Sequence, residues 1–204
     1  LLRCVSSSPA AASMALRTRL RAAEGQSEDE QLAILDQLAG ESVLDGLVEE
    51  GLSQNESVPA GTIEALEDAA ILRRLIERAE KLRGILMDPK ASLLAKEIKR
   101  LVEEGFRPVV FCRYIATANY LEEVLRNYLS SDQVSVISIT GEIPPEGREE
   151  RVRNLEELEE GVNPVLVATD CLSEGINLQR QFDAAVHYDL TWNPTRHEQR
   201  EGRV

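Results

Sequence analysis

The residues best suited to chemistry crowd the end of the chain, in Trp192-Asn193-Pro194-Thr195-Arg196-His197-Glu198-Gln199-Arg200-Glu201-Gly202-Arg203. Asn193 has the form of a helix cap and Pro194 that of a first helical residue, so positions three and four apart share a face. Arg196, Gln199 and Arg203 then form one row, with Arg200 beside it. Guanidinium groups in a row suit a polyphosphate whose charge shifts as a bond breaks, because each planar fork donates two hydrogen bonds at once. A solvated basic helix end is the plainer alternative. A second stretch, Thr169-Asp170-Cys171-Leu172-Ser173-Glu174-Gly175-Ile176-Asn177-Leu178-Gln179, sets hydroxyls, a glycine and amides just after an apolar run. Such a turn can meet phosphate or ribose, or can simply be a capped turn.

A third stretch, Thr140-Gly141-Glu142-Ile143-Pro144-Pro145-Glu146-Gly147-Arg148, stands where a phosphate-cradling loop would stand. It fails the GxxxxGK[ST] pattern: the glycines are one residue too far apart, no lysine follows, and two prolines remove backbone donors. No GxGxxG occurs anywhere in the chain. A nucleotide met here is met without a phosphate cradle from this sequence.

These stretches need a frame. Asp88-Pro89 opens a helix whose apolar face is Leu93, Leu94, Ile98, Leu101 and Val102, and Gly105 closes it. Short apolar strands are expected at 108–112, 134–139, 164–169 and 182–188, alternating with helices over 115–129 and 147–160 and from Pro194. That alternation predicts an α/β fold, a parallel sheet covered by helices on both faces. Ligands bind at the carboxyl ends of such strands, and the three stretches lie there.

Residues 1–84 read differently, as a helical segment ahead of an α/β domain over 85–204. Ser8-Pro9 starts an Ala-rich helix to about Ala23. Ser27 and Glu30 have capping-box spacing before Leu32, Ile34, Leu35 and Leu38. Residues 52–61 form a Ser/Gly/Pro-containing linker, and apolar residues from Ile63 to Leu82 keep helical spacing. No chemical constellation appears in this segment.

Composition narrows the classes. An apolar share of 43% supports a packed core. No apolar run approaches the ~20 residues that span a bilayer, so no membrane association is expected. Cys4, Cys112 and Cys171 are odd in number and widely spaced, as reduced structural thiols would be. His187 and His197 are the only histidines, and no metal site is expected. The net charge of −13 opposes generalised nucleic-acid binding, so any contact must come from a local groove of amides and a few arginines.

Taken together in order, the motifs resemble the second, C-terminal RecA-like lobe of a superfamily-2 helicase or SWI/SNF-type DNA translocase. Val109-Val110-Phe111-Cys112-Arg113-Tyr114 resembles motif IV, and Ile139-Thr140-Gly141 with Arg148 resembles the Thr-Gly element that follows it. Ala168-Thr169-Asp170 with Ser173 to Gln179 is similar to motif V, and Gln199-Arg200-x-Gly202-Arg203 to the opening of motif VI. Trp192-Asn193-Pro194 resembles the SWI/SNF branch, and Glu198-Gln199-Arg200 its bacterial members, including RNA-polymerase-associated translocases.

The resemblance implies that Gln199 and Arg203 approach the ATP γ-phosphate across an interlobe cleft, Arg203 as an arginine finger. Thr169 would contact nucleic-acid phosphate, and Glu174, Gly175 and Asn177 would couple that contact to the nucleotide. Thr140, Gly141 and Arg113 are further strand-tracking candidates. ATP and Mg²⁺ would be held chiefly by the first lobe of the same polypeptide. The nucleic acid would be DNA, a remodelled protein partner would follow, and the setting would be cytoplasmic, at the bacterial nucleoid. Leu1 in place of Met, and a motif VI that stops short of its last arginine, predict a piece of a longer chain that is inactive by itself. Two other classes compete: a RecA-like lobe kept only as a protein-docking platform, and an unrelated α/β nucleotide enzyme, which the missing glycine fingerprint and acid–base pair disfavour.

Overall fold

The computed structural model describes residues 2–24, 65–130, 133–155, 158, 160–173, 178–191 and 193–204. The helix expected after Ser27, the linker at 52–61, and Glu174, Gly175, Asn177 and Trp192 lie outside the described residues. The chain divides into two compact units, Leu1–Arg83 and Gly84–Val204.

The first unit contains α1 (Leu2–Ser7), α2 (Pro9–Glu24) and α3 (Ala65–Lys81). Ser8 Oγ accepts the Ala11 N–H at 3.1 Å, the cap its position predicts. The short helix before it carries no sequence signal of its own. Ala10, Ala11, Ala12 and Leu16 of α2 are buried, as are Ala69, Ile76 and Ala79 of α3, and the two helices pack together. Small alanines let the backbones approach closely. Ser13 Oγ donates to Glu80, whose carboxylate also meets Arg17 at 3.4 Å and Arg83 at 3.1 Å.

The second unit holds α4 (Pro89–Glu103), β1 (Pro108–Phe111), α5 (Ile115–Tyr128), β2 (Val134–Ile139), α6 (Pro145–Asn154), β3 (Asn163–Ala168), a 3₁₀ turn (Asp170–Ser173), β4 (Ala184–His187) and α7 (Pro194–Glu201). Asp88 caps α4, its Oδ1 accepting from Lys90 N at 3.0 Å and Ala91 N at 3.1 Å. The helix ends in a Schellman motif: Phe106 N bonds Leu101 O at 2.9 Å, Gly105 N bonds Val102 O at 3.0 Å, and Gly105 takes φ +90°.

The four strands form one parallel sheet in the order β2-β3-β1-β4. Central β1 is buried at every position and β3 at all but its first, which is why both read as continuous apolar runs rather than alternations. Val109, Phe111, Leu166, Ala168, Leu172, Leu178 and Phe182 belong to one core. The sheet grows to both sides of β1, because the connection after it leads to β2 and β3 on one side before β4 forms on the other. The carboxyl ends flanking β1 are therefore the switch point where such folds bind ligands.

Two elements depart from expectation by more than one residue. The helix expected over 147–160 runs from Pro145 to Asn154, because Pro144 and Pro145 set the helical start and the apolar face ends at Leu155. The strand expected over 182–188 is only Ala184–His187: Phe182 is spent in the core, and Tyr188 N and Asp189 N both turn toward Phe111 O.

Candidate nucleotide and nucleic-acid site

Asn193 Oδ1 accepts the Thr195 N–H at 3.0 Å, and Pro194 begins α7. Four residues apart on this helix, Arg196 and Arg200 turn to one carboxylate. Arg196 Nη1 donates to Asp170 Oδ2 at 3.1 Å and Arg200 Nε to Asp170 Oδ1 at 2.7 Å, with Arg200 Nη2 at 2.6 Å from the same oxygen. Arg200 is only 1% exposed, and its guanidinium lies 5.5 Å from the centre of the Phe111 ring. Its Nη1 reaches the Asp189 carbonyl at 3.0 Å. The helix is thus clamped to the turn after β3 by a buried, charge-assisted network.

The expected row Arg196–Gln199–Arg203 does not form as one free face. Arg196 is engaged by Asp170, and α7 ends at Glu201, so Arg203 lies past the Gly202 cap. Gln199 is exposed and Arg203 half-buried. Leu178 N donates to Arg203 O at 3.1 Å and Gln179 Nε2 to Gly202 O at 3.0 Å, so the far end of the second stretch ties down the end of the third.

Thr169 sits directly after β3 with no exposed surface, its Oγ1 donating to Cys171 Sγ at 3.3 Å. Thr140, after β2, is 2% exposed. Neither hydroxyl faces solvent in this arrangement. Gly141 and Arg113 are half-exposed, after β2 and β1 respectively. Arg148 explains itself differently from a ligand contact: its Nε donates to Ile143 O at 2.6 Å, Nη2 to Gly141 O at 3.1 Å and Nη1 to Cys171 O at 3.4 Å. It laces the loop after β2 to the turn after β3.

Sequence reasoning missed the meeting of the two histidines. His187 ends β4 and His197 lies on α7, with their Nδ1 atoms 3.4 Å apart and the rings edge to face. Burial, then the nearby Arg200 cation, holds the His187 pKa below its usual value, against a raising contact from Glu201 at 3.3 Å. Among the described residues no group of three metal-ligating side chains forms. Asp170 stands in the motif V stretch with no role assigned from sequence, and Asp189 was not singled out; the signal available for the Asp170 clamp was an acid just past a strand, with two arginines at helical spacing further on. The three cysteines are free thiols, and burial pushes that of Cys112 well up.

A parallel sheet flanked by helices, with its polar groups collected at the carboxyl ends of β1, β3 and β4, is the architecture of a RecA-like motor lobe. Residues 89–204 match the model of the helicase conserved C-terminal domain, and the chain belongs to that family. It is 29% identical over 117 residues to DEAD-box ATP-dependent RNA helicase 39 of Arabidopsis thaliana, covering 57% of this chain and 18% of that one. It is 30% identical over 125 residues to the uncharacterized ATP-dependent helicase YqhH of Bacillus subtilis (strain 168), covering 61% and 20%. The chain therefore spans about a fifth of the length of these curated relatives. Among solved structures, the fold resembles the Sulfolobus solfataricus SWI2/SNF2 ATPase core domain (TM-score 0.50, 14% identity, 67% of this chain and 28% of that one). It also resembles the C-terminal part of the Fun30 ATPase domain (TM-score 0.50, 17% identity, 84% and 55%).

Proposed function

We propose that the chain is the second motor lobe of an ATP-driven DNA translocase of the SWI/SNF kind. The observation that carries this reading is the buried Asp170 clamp, which fixes α7 against the turn after β3 and leaves Gln199 exposed at its end. Gln199 and Arg203 offer a carboxamide and a guanidinium to an anionic phosphate, a donor set that fits the γ end of ATP. Bound ATP supplies the phosphoryl group whose charge develops on cleavage, and Arg203 stabilises that charge. Asp170 is already paired with two arginines, so it does not suit Mg²⁺, and the metal belongs with the first lobe of the polypeptide.

On the nucleic-acid side, Arg113, Thr140, Gly141 and Thr169 stand just after the carboxyl ends of β1, β2 and β3. Their contacts to DNA phosphate go through exposed backbone and Arg113, or through the threonine hydroxyls once the turn opens. The coupling of the two sides is the role the resemblance gives Glu174, Gly175 and Asn177. Closing on ATP and reopening after hydrolysis then moves the lobe along a strand, and a partner bound to that DNA is displaced, in a cytoplasmic, nucleoid setting.

The test is the DNA-stimulated ATPase of Arg203→Ala in the whole protein, measured beside nucleotide affinity. The rate should fall by about 10³-fold with affinity little changed, because a finger acts on charge present mainly in the transition state. Arg203→Lys should recover little, since an ammonium lacks the planar fork. Loss of affinity in proportion to rate makes Arg203 a ground-state binding residue. A wild-type rate removes the finger and favours a lobe that only docks proteins.

A further inference from the structure

Asp189 has no role among the residues assigned above to nucleotide or nucleic acid, yet it touches the elements that carry both. It follows β4 and is nine-tenths buried. Its Oδ2 accepts the backbone N–H of Arg113 at 3.0 Å, and its Oδ1 accepts from Lys90 Nζ at 2.9 Å. Its own N–H turns toward Phe111 O at 3.4 Å, and its carbonyl accepts from Arg200 Nη1 at 3.0 Å.

The register between β1 and β4 ends at Phe111 opposite His187. Beyond that pair the ladder supplies no further strand, and the Asp189 carboxylate takes over as acceptor for the Arg113 amide. A charged acceptor makes that bond roughly twice as strong as a neutral one. Lys90 offsets the buried charge and rests 3.8 Å from the centre of the Tyr188 ring. One unbroken series of bonds then runs from the Arg113 amide through Asp189 to Arg200 and on to Asp170. Coupling between sites travels through packed, hydrogen-bonded links of this kind.

We infer that Asp189 is a positioning residue that couples the loop carrying Arg113 to helix α7, so that the DNA side and the ATP side of the lobe respond to each other. The inference rests on the translocase reading and names how its two sides are joined. Its signature is a change in the ratio of stimulated to unstimulated rate, which loss of stability alone does not produce.

The experiment measures ATPase of the whole protein with and without duplex DNA for Asp189→Ala, Asp189→Asn, Lys90→Met and Arg203→Ala. Asp189→Ala should lower DNA stimulation by about five- to tenfold, the range of a typical coupling between sites, with a smaller change in the unstimulated rate. Asp189→Asn retains an oxygen for the Arg113 amide and should recover most of the stimulation. Lys90→Met removes the ion pair, leaves the Arg113 bond in place, and should keep the stimulation too. Equal losses of both rates in the alanine and asparagine variants, or full stimulation in Asp189→Ala, overturn the inference. Should Asp189→Ala not fold, loss of stimulation in Asp189→Asn overturns it by itself, and retention beside Lys90→Met supports it. An Arg203→Ala variant with a wild-type rate removes the translocase reading instead, so the two failures are told apart.

Discussion

Arg200 and Arg203 are the same residue type three positions apart, and their surroundings differ. Arg200 is sealed against Phe111 and held by Asp170, so it is part of the scaffold. Removing Asp170 leaves that guanidinium buried without its carboxylate, and Asp170→Ala should destabilise the unit by about 3–5 kcal/mol, read by denaturant unfolding. A loss under 1 kcal/mol would mean the clamp is not formed in solution. His187 gives a second residue-scale prediction. Its folded pKa lies below the usual 6.5, so the unfolded chain takes the proton first and stability falls as pH drops below about 6.5. His187→Gln should flatten a melting-temperature profile between about pH 7.5 and 5.5, and an unchanged slope assigns the loss to another group. The resemblance singled out Arg203 rather than Arg200, but the burial of Arg200 was not legible in the sequence. The Gln-Arg-x-Gly-Arg spacing pointed to α7, but which arginine is buried depends on Phe111 and Asp170, both distant in the chain.

At the scale of elements, the short apolar runs and the capping residues were enough to find the strands and α-helices of the second unit among the described residues. Asp88-Pro89, Asn193-Pro194 and Gly105 act locally, through neighbours within five positions, and local chemistry is what a sequence exposes. The end of α6 and the length of β4 were misread because Leu155 and Phe182 are committed to the core by residues far away. Gly105 supplies a clean test of the local part. A Cβ there meets nothing within 4 Å, so Gly105→Ala isolates the cost of φ +90°. The substitution should cost about 1 kcal/mol with no change in fold, measured by thermal melting and circular dichroism. A neutral result would show that α4 ends by another route.

For the molecule as a whole, the acidic balance and the missing phosphate cradle point the same way. The 204-residue chain contains no GxxxxGK[ST], and an arginine positions nothing without a held triphosphate. Prepared by itself, it should hydrolyse ATP at background rate. The same preparation should bind duplex DNA weakly and lose that binding with rising salt, since few phosphate contacts oppose a net charge of −13. Steady turnover abolished by Arg203→Ala, or tight binding that survives high salt, would contradict these expectations. The family was legible because its motifs recur in fixed order. The charge of −8 carried by residues 1–80 was legible as well, but helical composition alone does not say what that segment is for.

The latch formed by Arg148 has a consequence for how such a lobe can change over time. All three of its acceptors, at Gly141, Ile143 and Cys171, are main-chain carbonyls. Every amino acid supplies one. The latch therefore asks nothing of the side chains at those positions, where Ile143 and Cys171 are held instead by packing against the core, and one guanidinium on a neighbouring helix ties the two loops together. The side chains there can change as far as core packing allows without touching the latch, whereas any change of Arg148 breaks it.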